Sequence, residues 1–157
     1  MPRKTIAARL LDRMRIPYEL RAYDFDPEAP AGVHVACALG LPPEHVYKTL
    51  VLRGDRTGLL MACLAASAEL DLKALAAVSG DRRVEMLPMA ELQPLTGYVR
   101  GGVSPLGSRR RMPVYLDAPG ASLPQVSVSA GQRGLQMLLS GPDLIRATSA
   151  AVAAIAR

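Results

Sequence analysis

Apolar positions along this chain change their spacing several times, and each change marks an element. Ile6, Leu10, Leu11 and Met14 recur at helical spacing behind Thr5, a residue type that caps first turns, so a helix is predicted from there and ends before Pro17. Tyr18 to Tyr23 alternates and reads as a half-buried strand. Asp24 to Pro30 carries two prolines and three acids, which makes it a loop. A short helix over Gly32 to Leu39 closes at Gly40, and Pro42-Pro43 open a helical turn carrying Glu44 and His45.

From Val46 the period shortens. Val46 to Arg53 predicts a strand, the five residues Gly54 to Gly58 a turn, and Leu59 to Leu64 the returning strand of a hairpin. Asp71 to Val78 predicts a helix ended by Gly80, and Met89 to Leu95 a second short one. Pro113 to Asp117, Gln125 to Ser129 and Leu135 to Leu139 read as strands, and Ser140-Gly141-Pro142-Asp143 leads into a closing helix rich in Ala and Ile. Strand and helix signals are interspersed, with no repeat, linker or low-complexity stretch. The expectation is one α/β or α+β domain over residues 1–157.

Composition sharpens this picture. Half the residues are hydrophobic and 21% charged, enough for a core and against intrinsic disorder. One Phe, five Tyr and no Trp make that core aliphatic and argue against a multi-aromatic base-stacking platform. The formal charge of +5 and a pI near 9.6 fit an anionic partner, though many basic domains have none. Cys37 and Cys63 lack CxxC spacing, so neither a zinc site nor a redox pair is expected, and two thiols fit a reducing cytosol. No apolar run reaches the length of a spanning helix, and Met1-Pro2-Arg3-Lys4 continues into an amphipathic segment rather than a signal core. A cytoplasmic chain without membrane contact is expected.

The familiar catalytic patterns do not occur. His34 and His45 form no metal-ligand spacing and read as surface or capping residues; Cys37 and Cys63 sit in apolar runs and read as buried small hydrophobes. There is no GxSxG elbow and no Walker loop. Lys48 stands out. Alternation places it with Val46, Leu50 and Leu52 on one strand face, so its ammonium group projects from the core-facing side, while Tyr47 and Thr49 occupy the other. Such a charge needs an anion or a pocket mouth, unless its stem snorkels to water. Residues 96–107 hold four glycines in twelve positions and abut Arg109-Arg110-Arg111, a seat for phosphate or RNA backbone or else a solvated basic edge. Ser129 to Gly134 is a second small-residue turn, able to aim backbone donors at a carbonyl oxygen or simply to join two strands.

These pieces, in this order, resemble the YbaK family, bacterial deacylases of Cys-tRNA(Pro) within the superfamily of prolyl-tRNA-synthetase-like editing domains. The resemblance is carried by Val46-Tyr47-Lys48-Thr49-Leu50, Leu70-Asp71-Leu72-Lys73, Val84-Glu85-Met86, Thr96-Gly97-Tyr98, Gly101-Gly102-Val103-Ser104-Pro105-Leu106-Gly107, Val128-Ser129-Ala130-Gly131 and Arg133-Gly134-Leu135. It implies a mixed β-barrel-like sheet flanked by helices, with the pocket between sheet and loops.

By the same resemblance, Lys48 is the essential lysine, near the aminoacyl ester and the terminal adenosine. Gly101 and Pro105 fall on the Gly-x-x-x-Pro loop that shapes the aminoacyl pocket, with Gly102 and Ser104 inside it. Tyr23, Thr49, Ser129 and Gly131 match further pocket positions. From their charge rather than from the resemblance, Arg109, Arg110, Arg111 and Arg133 are the expected tRNA contacts. Gln136 is a departure, since some members carry an acid there. The implied chemistry is trans-editing of mischarged tRNA(Pro) without metal or cofactor. The substrate's own thiol attacks its carbonyl to form a thiolactone, a reaction that selects cysteine where size cannot. The implied partner is prolyl-tRNA synthetase, in a ternary complex on the tRNA. Two alternatives stay open: hydrolysis of Ala-tRNA(Pro) or another mischarged tRNA by water, and a non-catalytic aminoacyl-tRNA-binding module.

Overall fold

The computed structural model describes residues 4–29 and 31–157; Met1, Pro2, Arg3 and Pro30, which belong by sequence to the N-terminal lead and the first loop, lie outside the described residues. Helix α1 (Ile6–Arg13) is capped by Thr5, whose side chain accepts from the Ala8 N–H. The buried stripe of α1 is Ala7, Ala8 and Leu11, whereas Ile6 is 64% exposed. The helix is thus turned away from the expected Ile6–Met14 stripe, because two alanines allow a closer approach to the sheet. Arg15, at φ 58°, ends the turn before Pro17 is reached.

Strand β1 (Glu19–Ala22) and helix α2 (Ala31–Leu39) follow, with a 3-10 turn over Pro43–His45. Strands β2 (Tyr47–Gly54) and β3 (Gly58–Ala65) form the hairpin in full register from Tyr47↔Ala65 to Gly54↔Gly58. Its turn is therefore shorter than the expected five residues, since both glycines pair. Asp81 explains the tightness: its carboxylate accepts from the N–H groups of Arg56 and Thr57 and from the hydroxyls of Thr57 and Ser79. Helix α3 (Leu72–Ser79) is capped by Asp71 and closed by Gly80 at φ 82°.

Strand β4 (Val84–Met86) pairs with β2, and α4 (Met89–Thr96) follows it. Strands β5 (Val114–Asp117), β6 (Val126–Ser129) and β7 (Leu135–Leu139) lie where the sequence predicted strands. The C-terminal segment departs from the expected closing helix. Helix α5 (Gly141–Thr148) stops at Ser149, φ 56°, and Ala151–Ala153 becomes strand β8, parallel to β5. Alanine-rich sequence favours helix locally, but the edge of β5 needs a partner. The buried Asp117 carboxylate also accepts from the N–H groups of Ile155 and Ala156, holding that stretch extended.

Two sheets result, an antiparallel β1-β7-β6 and a mixed β4-β2-β3-β5-β8. The main apolar core fills the space between them with Leu11, Val51, Met61, Leu116, Val128 and Met137. A second cluster seats Leu75 and Ala76 of α3 on Leu52, Leu60 and Ala62, on the opposite face of the larger sheet. One parallel bridge, Val46↔Ser127, joins the sheets and makes the whole barrel-like. Among the described residues no helix is long and apolar enough to cross a membrane.

Candidate active site

The bridge between the sheets decides where the polar residues meet. Lys48 and Ser129 each lie two residues beyond Val46↔Ser127, and β6–β7 pairing sets Gln136 opposite Ser129. On β6 the valines at 126 and 128 fill the core, so Ser127 and Ser129 face the other way. A cavity of about 460 Å³ opens at this seam, and Tyr23, Lys48, Thr49, Gly101, Ser129 and Gln136 all line it. Six candidates from five separate stretches of chain are therefore in one wall.

Lys48 shares a face of β2 with Leu50 and Leu52, as alternation indicated, but this is not the side of the main core. Tyr47 and Val51 fill that core from the other face, where Thr49 is also buried. Lys48, near the start of the strand, is only half-buried. Its Nζ donates to the carbonyl oxygens of Ala68 at 2.6 Å and Ala66 at 3.2 Å. An ammonium group has three protons, so two are held by main chain and one is left for a ligand. Burial lowers the pKa of Lys48 below the ordinary lysine value, opposed by the carboxylate of Glu69.

The neighbouring hydroxyls are engaged. Thr49 Oγ1 lies 3.4 Å from Cys63 Sγ, and Ser129 Oγ accepts from the Gly131 N–H at 3.1 Å. Burial pushes the Cys63 thiol up to about 11, so it stays protonated. Cys37 is exposed, contrary to its apolar run, because it falls on the solvent side of α2. Gln136 is 5% exposed, and Ser127 Oγ donates to its Oε1 at 2.8 Å. His34 proves to be part of the cavity wall rather than a bland surface group. Its Nε2 lies 2.6 Å from the Asp24 carbonyl, and since a carbonyl only accepts, that nitrogen carries the proton.

The glycine-rich loops act largely as scaffolding. Gly101 lines the cavity at φ 88°, but a Cβ on Gly102 would sit 3.0 Å from the backbone of Gln132 and Arg133. Ser104 is fully buried and accepts from the Leu106 N–H, and Tyr98 donates to the Leu106 carbonyl. Gly131, at φ 103°, packs against the Tyr98 ring. Gly102 and Gly131 thus sit where the two loops meet, Ser104 braces its own loop, and neither these three nor Pro105 are among the residues lining the cavity.

The arginines divide. Arg109 donates to the Pro94 carbonyl at the end of α4, while Arg110 and Arg111 line a different cavity of about 840 Å³ together with Pro105 and Ser108. Arg133 stands beside the first cavity, its Nε donating to the Arg100 carbonyl at 2.8 Å and its guanidinium 4.9 Å from the centroid of the Phe25 ring. Phe25, His34 and Arg100 are wall residues that sequence reasoning missed. The available signal was the chain's single Phe, placed in a loop of acids and prolines.

Comparison with known proteins accounts for this arrangement. Residues 26–147 match the model of the aminoacyl-tRNA editing domain. A protein of Enterococcus faecalis named "Putative Cys-tRNA(Pro)/Cys-tRNA(Cys) deacylase EbsC" is 36% identical over 152 residues, 97% of this chain and 93% of the relative. Two crystal structures share the fold. That of "hypothetical protein APE2540" has a TM-score of 0.86 at 20% identity, covering 98% of this chain and 100% of the other. That of "a putative trans-editing enzyme for prolyl tRNA synthetase" has a TM-score of 0.84 at 22% identity, covering 99% of both chains. The chain belongs to the aminoacyl-tRNA editing domain family. Within it, this is an aminoacyl-tRNA deacylase of the YbaK type.

Proposed function

We propose that this deacylase clears cysteine from mischarged tRNA(Pro) in trans, with Lys48 as its catalytic residue. The observation that carries the reading is the Lys48 ammonium group, pinned by the Ala66 and Ala68 carbonyls in the wall it shares with Gly101, Ser129 and Gln136. A fixed cation with one spare proton suits an ester whose carbonyl oxygen gains negative charge in the transition state. Cys63 is buried and protonated and Thr49 is turned to it, which favours an attacking group brought by the substrate.

The substrate's cysteine thiol loses its proton and its sulfur bonds to its own carbonyl carbon. The ester C–O bond then breaks, tRNA leaves with its terminal hydroxyl reprotonated, and water opens the β-thiolactone to cysteine. Editing by chemistry rather than size fits the problem, since cysteine and proline are near in volume and an apolar pocket separates near-isosteres poorly. The name of the 36% identical relative points to the same substrate. Transfer RNA identity would come from prolyl-tRNA synthetase holding the same tRNA, and Lys48, Tyr23, Thr49, Gly101, Ser129 and Gln136 would form the aminoacyl site.

A panel of aminoacylated tRNAs tests the proposal. Cys-tRNA(Pro) should be deacylated and Ser-tRNA(Pro) left intact, because a hydroxyl cannot take the place of the thiol. Equal turnover of both would replace the thiol mechanism with water attack, and preference for Ala-tRNA(Pro) would replace the substrate. No turnover together with tight binding would make the chain a carrier module.

A further inference from the structure

The sole Phe of the chain is not in the core. Phe25 sits in the loop between β1 and α2, partly exposed, with its ring in the wall of the candidate cavity. An aliphatic core would readily have taken this ring, and exposing it gives up the burial of a large apolar surface. Two distant segments, around Arg100-Gly101 and around Arg133, instead hold it in the cavity wall. The Arg133 guanidinium lies 4.9 Å from the ring centroid, and Arg133 is itself tied to the Arg100 carbonyl at 2.8 Å. Gly101 lets the Gly-rich loop come close, since a Cβ there would stand 3.0 Å from Phe25 Cε1. Arg100 adds a second exposed cation to the same wall.

A preplaced aromatic ring with a guanidinium group against it and a second arginine in the same wall is the kind of surface on which single-stranded nucleic acids lay a base, with cations for the adjoining phosphate. We propose that Phe25, braced by Arg133, stacks the adenine of the acylated 3′-terminal nucleotide, with Arg100 and Arg133 next to its phosphate. This rests on the deacylase reading, because the ester in the Lys48 wall fixes which nucleotide lies at the mouth. One ring serves one base, which agrees with a chain too poor in aromatics for an extended platform. Phe25 is then a substrate-binding residue whose position gives Lys48 a registered ester.

The single Phe makes the test direct. With the full-length chain and an uncharged acceptor-stem minihelix ending in CCA, the Phe25 ring proton resonances should move upfield saturably, and a minihelix lacking the terminal A should leave them in place. Phe25→Leu should weaken minihelix binding about tenfold and raise KM for deacylation about as much, with kcat within about twofold, whereas Phe25→Tyr should stay near wild type. Unchanged melting of both variants keeps a folding defect apart from a binding one. If the ring signals ignore the minihelix and Phe25→Leu leaves KM unaltered, the stacking proposal is wrong even where turnover is robust. If the ring responds but no aminoacyl-tRNA is turned over, the deacylase reading fails and the nucleotide site stands.

Discussion

Lys48 Nζ donates to the carbonyl oxygen of Ala68 at 2.6 Å, across the turn that follows β3. With the Ala66 carbonyl at 3.2 Å, this bond fixes the ammonium group in one place. Lys48→Ala should lower single-turnover deacylation by at least about a hundredfold, the usual loss when an electrostatic donor is removed, and leave the far-ultraviolet spectrum native. Lys48→Arg should not restore activity, because a planar guanidinium is larger and cannot sit between the same two carbonyls. Near-normal rates in either variant would remove Lys48 from the mechanism.

The protonation of Lys48 has a pH signature. Burial lowers its pKa below 10.5, so the ammonium group to which catalysis is assigned in the proposal is lost as pH rises through a value below that figure. In the proposed thiol mechanism the substrate thiol must ionise, which adds a rising limb at lower pH, and the rate on Cys-tRNA(Pro) should then be bell-shaped after correction for spontaneous hydrolysis. A rate that only climbs with pH would instead mean a neutral amine acting as base. Stability runs the opposite way: the unfolded chain holds this proton more tightly, so Lys48 should make folding more favourable as pH rises between its lowered value and 10.5.

Asp81 should be the acid-sensitive support of the main hairpin. Burial raises its pKa, but hydrogen bonds from Ser79, Thr57 and Arg56 outweigh that and hold it at about 2. Its folded value is depressed, so the stability it contributes is present near neutrality and is lost as pH falls from about 4 through about 2. Asp81→Ala should cost about 1–3 kcal/mol by leaving the turn N–H groups unpaired, and should flatten the acid limb of a denaturation series.

Arg110 and Arg111 lie away from the Lys48 cavity, on the rim of the second one. If that rim follows the tRNA backbone, reversing both charges should weaken tRNA binding, and the slope of log affinity against log salt should fall by about one for each phosphate no longer neutralised. Turnover of a short aminoacyl minihelix should change less than that of full-length tRNA. Identical affinity for wild type and the reversed variant across a salt series would return these arginines to an ordinary solvated edge.

Much of this protein follows from local rules in its sequence. Thr5 and Asp71 start helices and Gly40 and Gly80 end them because caps depend on a few adjacent residues. The hairpin and strands β5 to β7 were legible as short runs between turn residues, and the oddity of Lys48 was visible because one charged residue interrupts an apolar face. Tertiary structure alone decided the rest. Strand β8 overrides helix-prone alanines because β5 and Asp117 offer partners that no local pattern reveals. Likewise the Val46↔Ser127 bridge, linking residues eighty-one positions apart (127 − 46), brings Lys48 beside Ser129 and Gln136. Phe25 and Arg100 join that wall while Arg110 and Arg111 line another cavity, and for Phe25 the close approach of Gly101, far along the chain, sets the place. Helix caps and alternation are settled within a few residues, whereas a cavity is assembled from contacts between segments far apart in the chain.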